Sequence, residues 1–139
     1  MKSVFFYGLF MDGDLLKVKG LNPSNARLAY VPGYGLRIGE RATLEISPDE
    51  RAYGSIMNLS EEEVEELYSE KSVVDYVPNQ LVAFDMQGQS VEVISYILPM
   101  KMVSGSNSEY ARSLAIIAQK IGLPDYYINE IETWIQKHA

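Results

Sequence analysis

Apolar residues fall in short, strand-like runs through the first two-thirds of the chain and at helical spacing in the last third. Residues 4–7 form the first run and read as a strand. Residues 27–31 and 34–38 read as two more, separated by a turn at Pro32-Gly33. Residues 42–46 make a short strand, and 53–59 another that contains Gly54. Residues 80–84 and 90–98 flank Asp85-Met86-Gln87-Gly88, a hairpin signal. These runs are rich in Val, Ile, Tyr and Phe, as strands are. Ser60-Glu61-Glu62-Glu63 is a capping box ahead of Val64, Leu67 and Tyr68 on one helical face. A second helix runs over 108–121, with Tyr110, Leu114, Ile117, Ala118 and Ile121 on one side and Gly122 as its stop. Pro124 opens a third, where its missing N–H costs nothing, with Ile128, Ile131, Trp134 and Ile135 inward. Asp12 is placed to cap a short turn through Leu15 and Leu16. Strands first, one helix inserted and helices last predict an α+β chain: a small, mixed, barrel-like sheet with helices packed outside.

Gly8 breaks the first apolar run, and Leu9-Phe10-Met11 follow it directly. Such an apolar loop is packed under something or wrapped around a ligand. A glycine here lets backbone approach a ligand closely, and the N–H groups beyond it can form an anion nest. Most strand–Gly turns are only turns, so spacing alone does not decide.

The chain has 139 residues, enough for one domain spanning 1–139 with a sizeable core. A net charge of −7 and the absence of any Lys/Arg run argue against nucleic acid or an anionic membrane as partner. Cysteine is absent and His138 is the single histidine, which excludes thiol nucleophiles and all but excludes a His-based metal site or triad. No signal-peptide pattern or membrane-length apolar run is visible, which reads as a cytoplasmic protein. Any chemistry must come from carboxylates, hydroxyls and backbone groups.

Tyr7-Gly8-Leu9-Phe10 after the first strand resembles the YGS(N/L)-type loop of the γ-glutamylcyclotransferase family, which includes the AIG2-like proteins. Leu28-Ala29-Tyr30-Val31-Pro32-Gly33-Tyr34-Gly35-Leu36 is similar to the family's second and third strands. Tyr53-Gly54-Ser55-Ile56-Met57 resembles its V-x-G-x-(V/L)-Y strand. Leu67-Tyr68-Ser69-Glu70 resembles the L-D-x-x-E segment that carries the catalytic glutamate, with Tyr76 where a tyrosine usually follows. Ser108-Glu109-Tyr110 and Gly122-Leu123-Pro124-Asp125-Tyr126-Tyr127 are similar to a C-terminal S-x-x-Y…G-L-P-x-x-Y pattern. The order of the pieces, over nearly the whole chain, carries the resemblance. Leu9 stands in place of serine, Tyr68 in place of aspartate and Lys71 in place of glycine.

The resemblance implies an intramolecular reaction. The free α-amine of a γ-glutamyl group attacks its own γ-carbonyl, 5-oxoproline forms, and an amine or amino acid leaves. One carboxylate can take the proton from the attacking nitrogen and give it to the departing one, with no metal, nucleophilic side chain or cofactor. Glu70 is the implied acid/base, facing the loop across a pocket. Tyr7, Gly8, Leu9, Phe10 and Tyr76 are the implied substrate contacts. Periodicity does not single out Glu70 from Glu61, Glu62, Glu63, Glu65 and Glu66, which read as a solvated helix face. Arg41 and Arg51 read as surface residues, Tyr126, Tyr127 and Trp134 as helix packing, and His138 as a frayed, exposed end. The alternative is a non-catalytic protein that binds a small carboxylate on the same fold; a scaffold for protein contacts is a third reading. The partner expected is a small γ-glutamyl molecule. The sequence gives no direct handle on oligomeric state, and a homodimer through an uncovered C-terminal helix is compatible with it.

Overall fold

The computed structural model describes residues 1–136, so His138 lies outside the described residues. Five strands, β1 (Lys2–Phe6), β2 (Ser24–Ile38), β3 (Ala42–Leu59), β4 (Val77–Asp85) and β5 (Ser90–Ile97), close into a barrel in the order β1-β3-β2-β4-β5. Four helices accompany them: α1 (Gly13–Val18), α2 (Glu61–Leu67), α3 (Ser108–Ile121) and α4 (Asp125–Gln136). The β1–β5 contact is parallel and the other pairings are antiparallel, so the sheet is mixed. The α+β, barrel-like architecture expected from the order of elements is the one observed. No helix among the described residues is long and apolar enough to cross a membrane.

β1 shows why its apolar run is unbroken. Val4, Phe5 and Phe6 are all buried, because β1 lies between β3 and β5 and its side chains on both faces belong to one apolar cluster. Its neighbours reach across to it, and to the turn that follows it, with buried hydroxyls. Ser95 Oγ on β5 donates to the Phe5 carbonyl at 3.0 Å, and Ser55 Oγ on β3 donates to the Met11 carbonyl at 2.9 Å. A buried carbonyl without such a partner would cost on the order of 1–3 kcal/mol.

Two features differ from the sequence reading. Pro32-Gly33 is not a turn between strands but an irregularity inside β2, with the register shifting between Pro32↔Arg51 and Tyr34↔Ile46. Gly33 takes φ +82°, and Pro32 lacks the N–H a regular ladder needs. β3 continues as one strand past this point, with residues 47–50 the extra ones opposite the irregularity, so 42–46 and 53–59 belong to one strand. The reversal between β2 and β3 occurs instead at residues 39–41, where the Gly39 N–H donates to the Arg41 carbonyl at 3.1 Å.

The helix signals are realised locally. Ser60 Oγ accepts from the Glu63 N–H, and the Glu63 carboxylate accepts from the Ser60 N–H at 2.9 Å. Its second oxygen takes the Asn22 N–H at 2.7 Å, which fastens α2 to the approach to β2. α3 spans the expected residues and ends at Gly122 in the left-handed region. Asp12 caps α1, and Lys120 near the end of α3 reaches both Asp12 and Asp14 at 2.9 Å.

The two backbone N–H bonds lower the Glu63 carboxyl below the ordinary glutamate value of 4.5. A depressed carboxylate contributes stability above its unfolded value and loses it as pH falls through the folded one. Glu63→Gln should therefore lower the thermal midpoint by about 3 °C at pH 7. The gap to wild type should close as pH drops below about 4.5 in a thermal-melt series. Gly54 lies where β1 ends: a Cβ there would sit 2.0 Å from the Phe6 carbonyl oxygen, with Tyr7 Cα also close. Both obstacles are backbone, so Gly54→Ala should cost about 3 kcal/mol or more in urea unfolding.

Candidate functional site

β1 ends at the mouth of a cavity of about 340 Å³. Its floor is Phe5, Phe6 and the segment Tyr7, Gly8, Leu9 and Phe10. The β2–β3 reversal contributes Arg41 and Ala42, and β5 contributes Tyr96. The turn segment after α2 contributes Tyr68, Ser72, Val73 and Tyr76, and the first turn of α3 contributes Tyr110. Leu9–Met11 is a single 3₁₀ turn whose N-cap is Gly8. The apolar loop is thus both packed under and wrapped around: Phe10 meets Phe6 and Tyr68 edge-on, and the same residues wall the cavity.

Gly8 owes its place to Tyr110. A Cβ on Gly8 would lie 2.6 Å from the Tyr110 hydroxyl oxygen. Asn107, the N-cap of α3, accepts from the Tyr110 N–H at 2.9 Å and so fixes where the ring enters. The Tyr110 oxygen faces the Leu9 N–H, the first donor of the loop.

The phenols are tethered. Tyr7 Oη donates to the Tyr96 carbonyl at 2.7 Å, and Tyr76 Oη donates to the Ala42 carbonyl at 2.6 Å. The second bond pins the turn segment to the β2–β3 reversal. Arg41 strengthens that join: Nη1 lies 3.3 Å from Asp75, and the guanidinium carbon is 5.9 Å from the Tyr76 ring centroid. Burial raises the proton affinity of Tyr7, Tyr68 and Tyr110, and the neighbouring phenols add to it. Burial pushes Tyr76 up to about 12, against the pull of Arg41. All four stay neutral at physiological pH and act as hydrogen-bonding groups.

The structure brings Tyr7, Gly8, Leu9, Phe10 and Tyr76 around one cavity and leaves Glu70 out of its lining. Both Glu70 carboxylate oxygens bind Lys19 Nζ, at 2.8 and 3.0 Å, in a pair whose side chains are 40% and 34% exposed. Lys19 Nζ in turn lies 5.6 Å from the Phe10 ring centroid. Glu70 therefore stands at the rim, beside a wall residue. Counted strictly from Leu67, the fifth place of L-D-x-x-E is Lys71, one residue past Glu70. Among the described residues, no carboxylate lines the cavity and Arg41 is its one charged side chain.

Sequence reading assigned Arg41 to the surface and Tyr110 to a helix face, and gave Tyr68 and Tyr96 no role in a site. Tyr68 was visible as a departure from the family pattern. Arg41 and Tyr96 had no local signal, since the first sits in a tight reversal and the second within an ordinary alternating strand. Of the residues assigned to helix packing, Tyr127 is buried, but Tyr126 is half exposed and its hydroxyl meets that of Tyr53.

Gly8→Ala should cost about 1–3 kcal/mol in chemical unfolding, because the Tyr110 hydroxyl must move. Adding Tyr110→Phe should recover part of that loss: without the oxygen, the nearest Tyr110 atom to the new methyl is 3.9 Å away.

No protein-family model matches the sequence, and no curated protein sequence matches it. Solved structures do. A γ-glutamyl cyclotransferase superposes with a TM-score of 0.74 at 17% identity, over 94% of this chain and 86% of that one. YkqA from Bacillus subtilis gives 0.78 at 16% identity, over 97% of this chain and 54% of the longer YkqA. A γ-glutamyl cyclotransferase specific to glutathione from yeast gives 0.68 at 13%, over 99% and 96%. At such identities the likeness is one of backbone path. The chain has the γ-glutamyl cyclotransferase fold.

Proposed function

We propose that the cavity binds a small γ-glutamyl-type compound, with the ligand's carboxylate at Arg41 and its acyl body against the aromatic walls. The observation that carries this reading is the charge of the lining: one cation, no carboxylate, in an otherwise aromatic and apolar chamber. Arg41 presents several N–H donors in a planar fork suited to a carboxylate. In the bonds seen among the described residues only its Nη1 is engaged. The volume lies at the lower end of the range for small-molecule sites. Backbone of Gly8, Leu9 and Phe10, and the hydroxyls of Tyr7 and Tyr76, supply polar contacts along the floor.

Conversion of that ligand is the second reading, favoured by the fold and by one position. Glu70 belongs to the turn segment whose other members, Tyr68, Ser72, Val73 and Tyr76, line the cavity. Its partner Lys19 is an exposed one, and such pairs are worth about 0–1 kcal/mol. Release from Lys19 would therefore be a small cost to set against substrate binding, and geometry without substrate does not disqualify a base. Once released, Glu70 would take the proton from the attacking α-amine and hand it to the leaving nitrogen, closing 5-oxoproline.

A calorimetric titration with γ-glutamyl amides, followed by assay of the same mixtures for 5-oxoproline, tests both. Arg41→Met should weaken binding at least about tenfold, the scale of a charge-assisted hydrogen bond; unchanged affinity rejects the assignment of the carboxylate. Product formed by wild type and lost in Glu70→Gln establishes turnover, whereas binding without product leaves a binding protein.

A further inference from the structure

Tyr68 is a half-buried phenol of the cavity wall whose hydroxyl holds no hydrogen bond to the protein among the described residues. Tyr7 spends its proton on the Tyr96 carbonyl, Tyr76 spends its proton on the Ala42 carbonyl, and the Tyr110 oxygen faces the Leu9 N–H. The Tyr96 hydroxyl sits toward solvent, near Glu65. Tyr68 is nevertheless held firmly. Its ring stacks on Tyr96 with centroids 3.8 Å apart and planes 10° from parallel, and Phe10 abuts it edge-on at 6.3 Å. Its electrostatic neighbours are the phenols of Tyr76, Tyr96 and Tyr110, which places it with the groups that surround the cavity. A hydroxyl with no protein partner, on a ring held in place at the wall of a ligand-sized chamber, is a donor free for an occupant.

We propose that Tyr68 selects the ligand, donating its proton to a neutral carbonyl oxygen borne on an aromatic or bulky apolar body. The surroundings define the rest of the molecule. Rings of Phe6, Phe10, Tyr68 and Tyr96 follow one another around this side of the cavity, and apolar area is what they offer. Lys19 and Arg41 at its margin are each paired with a carboxylate, Glu70 and Asp75, so the aromatic walls offer an ammonium group no free counter-charge. The leaving or distal portion of the ligand is therefore an arylalkyl or branched alkyl amide, not a charged amino acid. This deepens the reading of the cavity as a ligand site and rests on it.

The test uses uncharged probes, so that it does not depend on Arg41. The full-length protein is titrated with 3-phenylpropanamide, propylbenzene and β-alaninamide, followed by chemical shifts of the tyrosine rings, in wild type and Tyr68→Phe. The amide should bind wild type and bind Tyr68→Phe about fivefold more weakly, the equivalent of one neutral hydrogen bond. Propylbenzene, which has no acceptor, should bind both equally, showing that the variant keeps its chamber. β-Alaninamide should not bind. Equal affinity of the amide for both proteins, no binding of the amide at millimolar concentration, or binding of β-alaninamide as tight as that of the phenyl amide would each overturn the proposal. Should the amide behave as expected while Arg41→Met leaves γ-glutamyl binding untouched, the carboxylate assignment fails and that of Tyr68 stands.

Discussion

The passage of the end of β1 over Gly54 is the contact on which the rest depends. The Phe6 carbonyl lies where any Cβ on Gly54 would have to be. That closeness lets β1 run flush against β3 up to the Phe6↔Ser55 pair and then leave the sheet abruptly. The chain must turn at once, and Gly8 and the 3₁₀ turn Leu9–Met11 are how it does so. The cavity is the space opened by that departure, between the strand tip and the elements that fold over it. A side chain at position 54 would push the tip outward and take the floor of the site with it.

What closes the space is a set of contacts between tyrosine hydroxyls and backbone groups. Tyr7 holds β5, and Tyr76 holds the β2–β3 reversal. Tyr110 brings the start of α3 against Gly8. Each of these phenols is kept neutral by burial, so the closure does not change with pH in the physiological range. The chamber that results is aromatic rather than acidic. Among the described residues, Arg41 is the one charged side chain in its lining. The acidic residues of α2, Glu61 to Glu66, face away into solvent or, as Glu63 does, hold backbone. Glu70 stands between these two worlds: its backbone is part of the lining segment, and its carboxylate is clipped to Lys19 at the rim.

Much of the fold was legible because its signals are local. A capping box needs only four residues, a helix stop needs Gly122, and the hairpin at 85–88 needs one left-handed glycine, Gly88. The barrel-like sheet followed from the order of elements. Pro32-Gly33 misled because the same pair that makes a turn in isolation makes an irregularity when a continuous partner strand runs beside it. The site was legible only where the residues are consecutive. Tyr7, Gly8, Leu9 and Phe10 could be read as one loop, but nothing near Arg41, Tyr96 or Tyr110 in sequence says that these three meet.

The sequence by itself determined the strands and helices, their caps, and a glycine-broken apolar segment at the end of the first strand. Those are properties of near neighbours, set by periodicity, propensity and short hydrogen bonds. Only the tertiary structure decided that Tyr110, about a hundred residues away, would fill the room Gly8 leaves, that Arg41 would reach the cavity's margin, and that Glu70 would bind Lys19. Each of those outcomes depends on where barrel closure places distant side chains, and a side chain's direction after closure is not encoded in its neighbours.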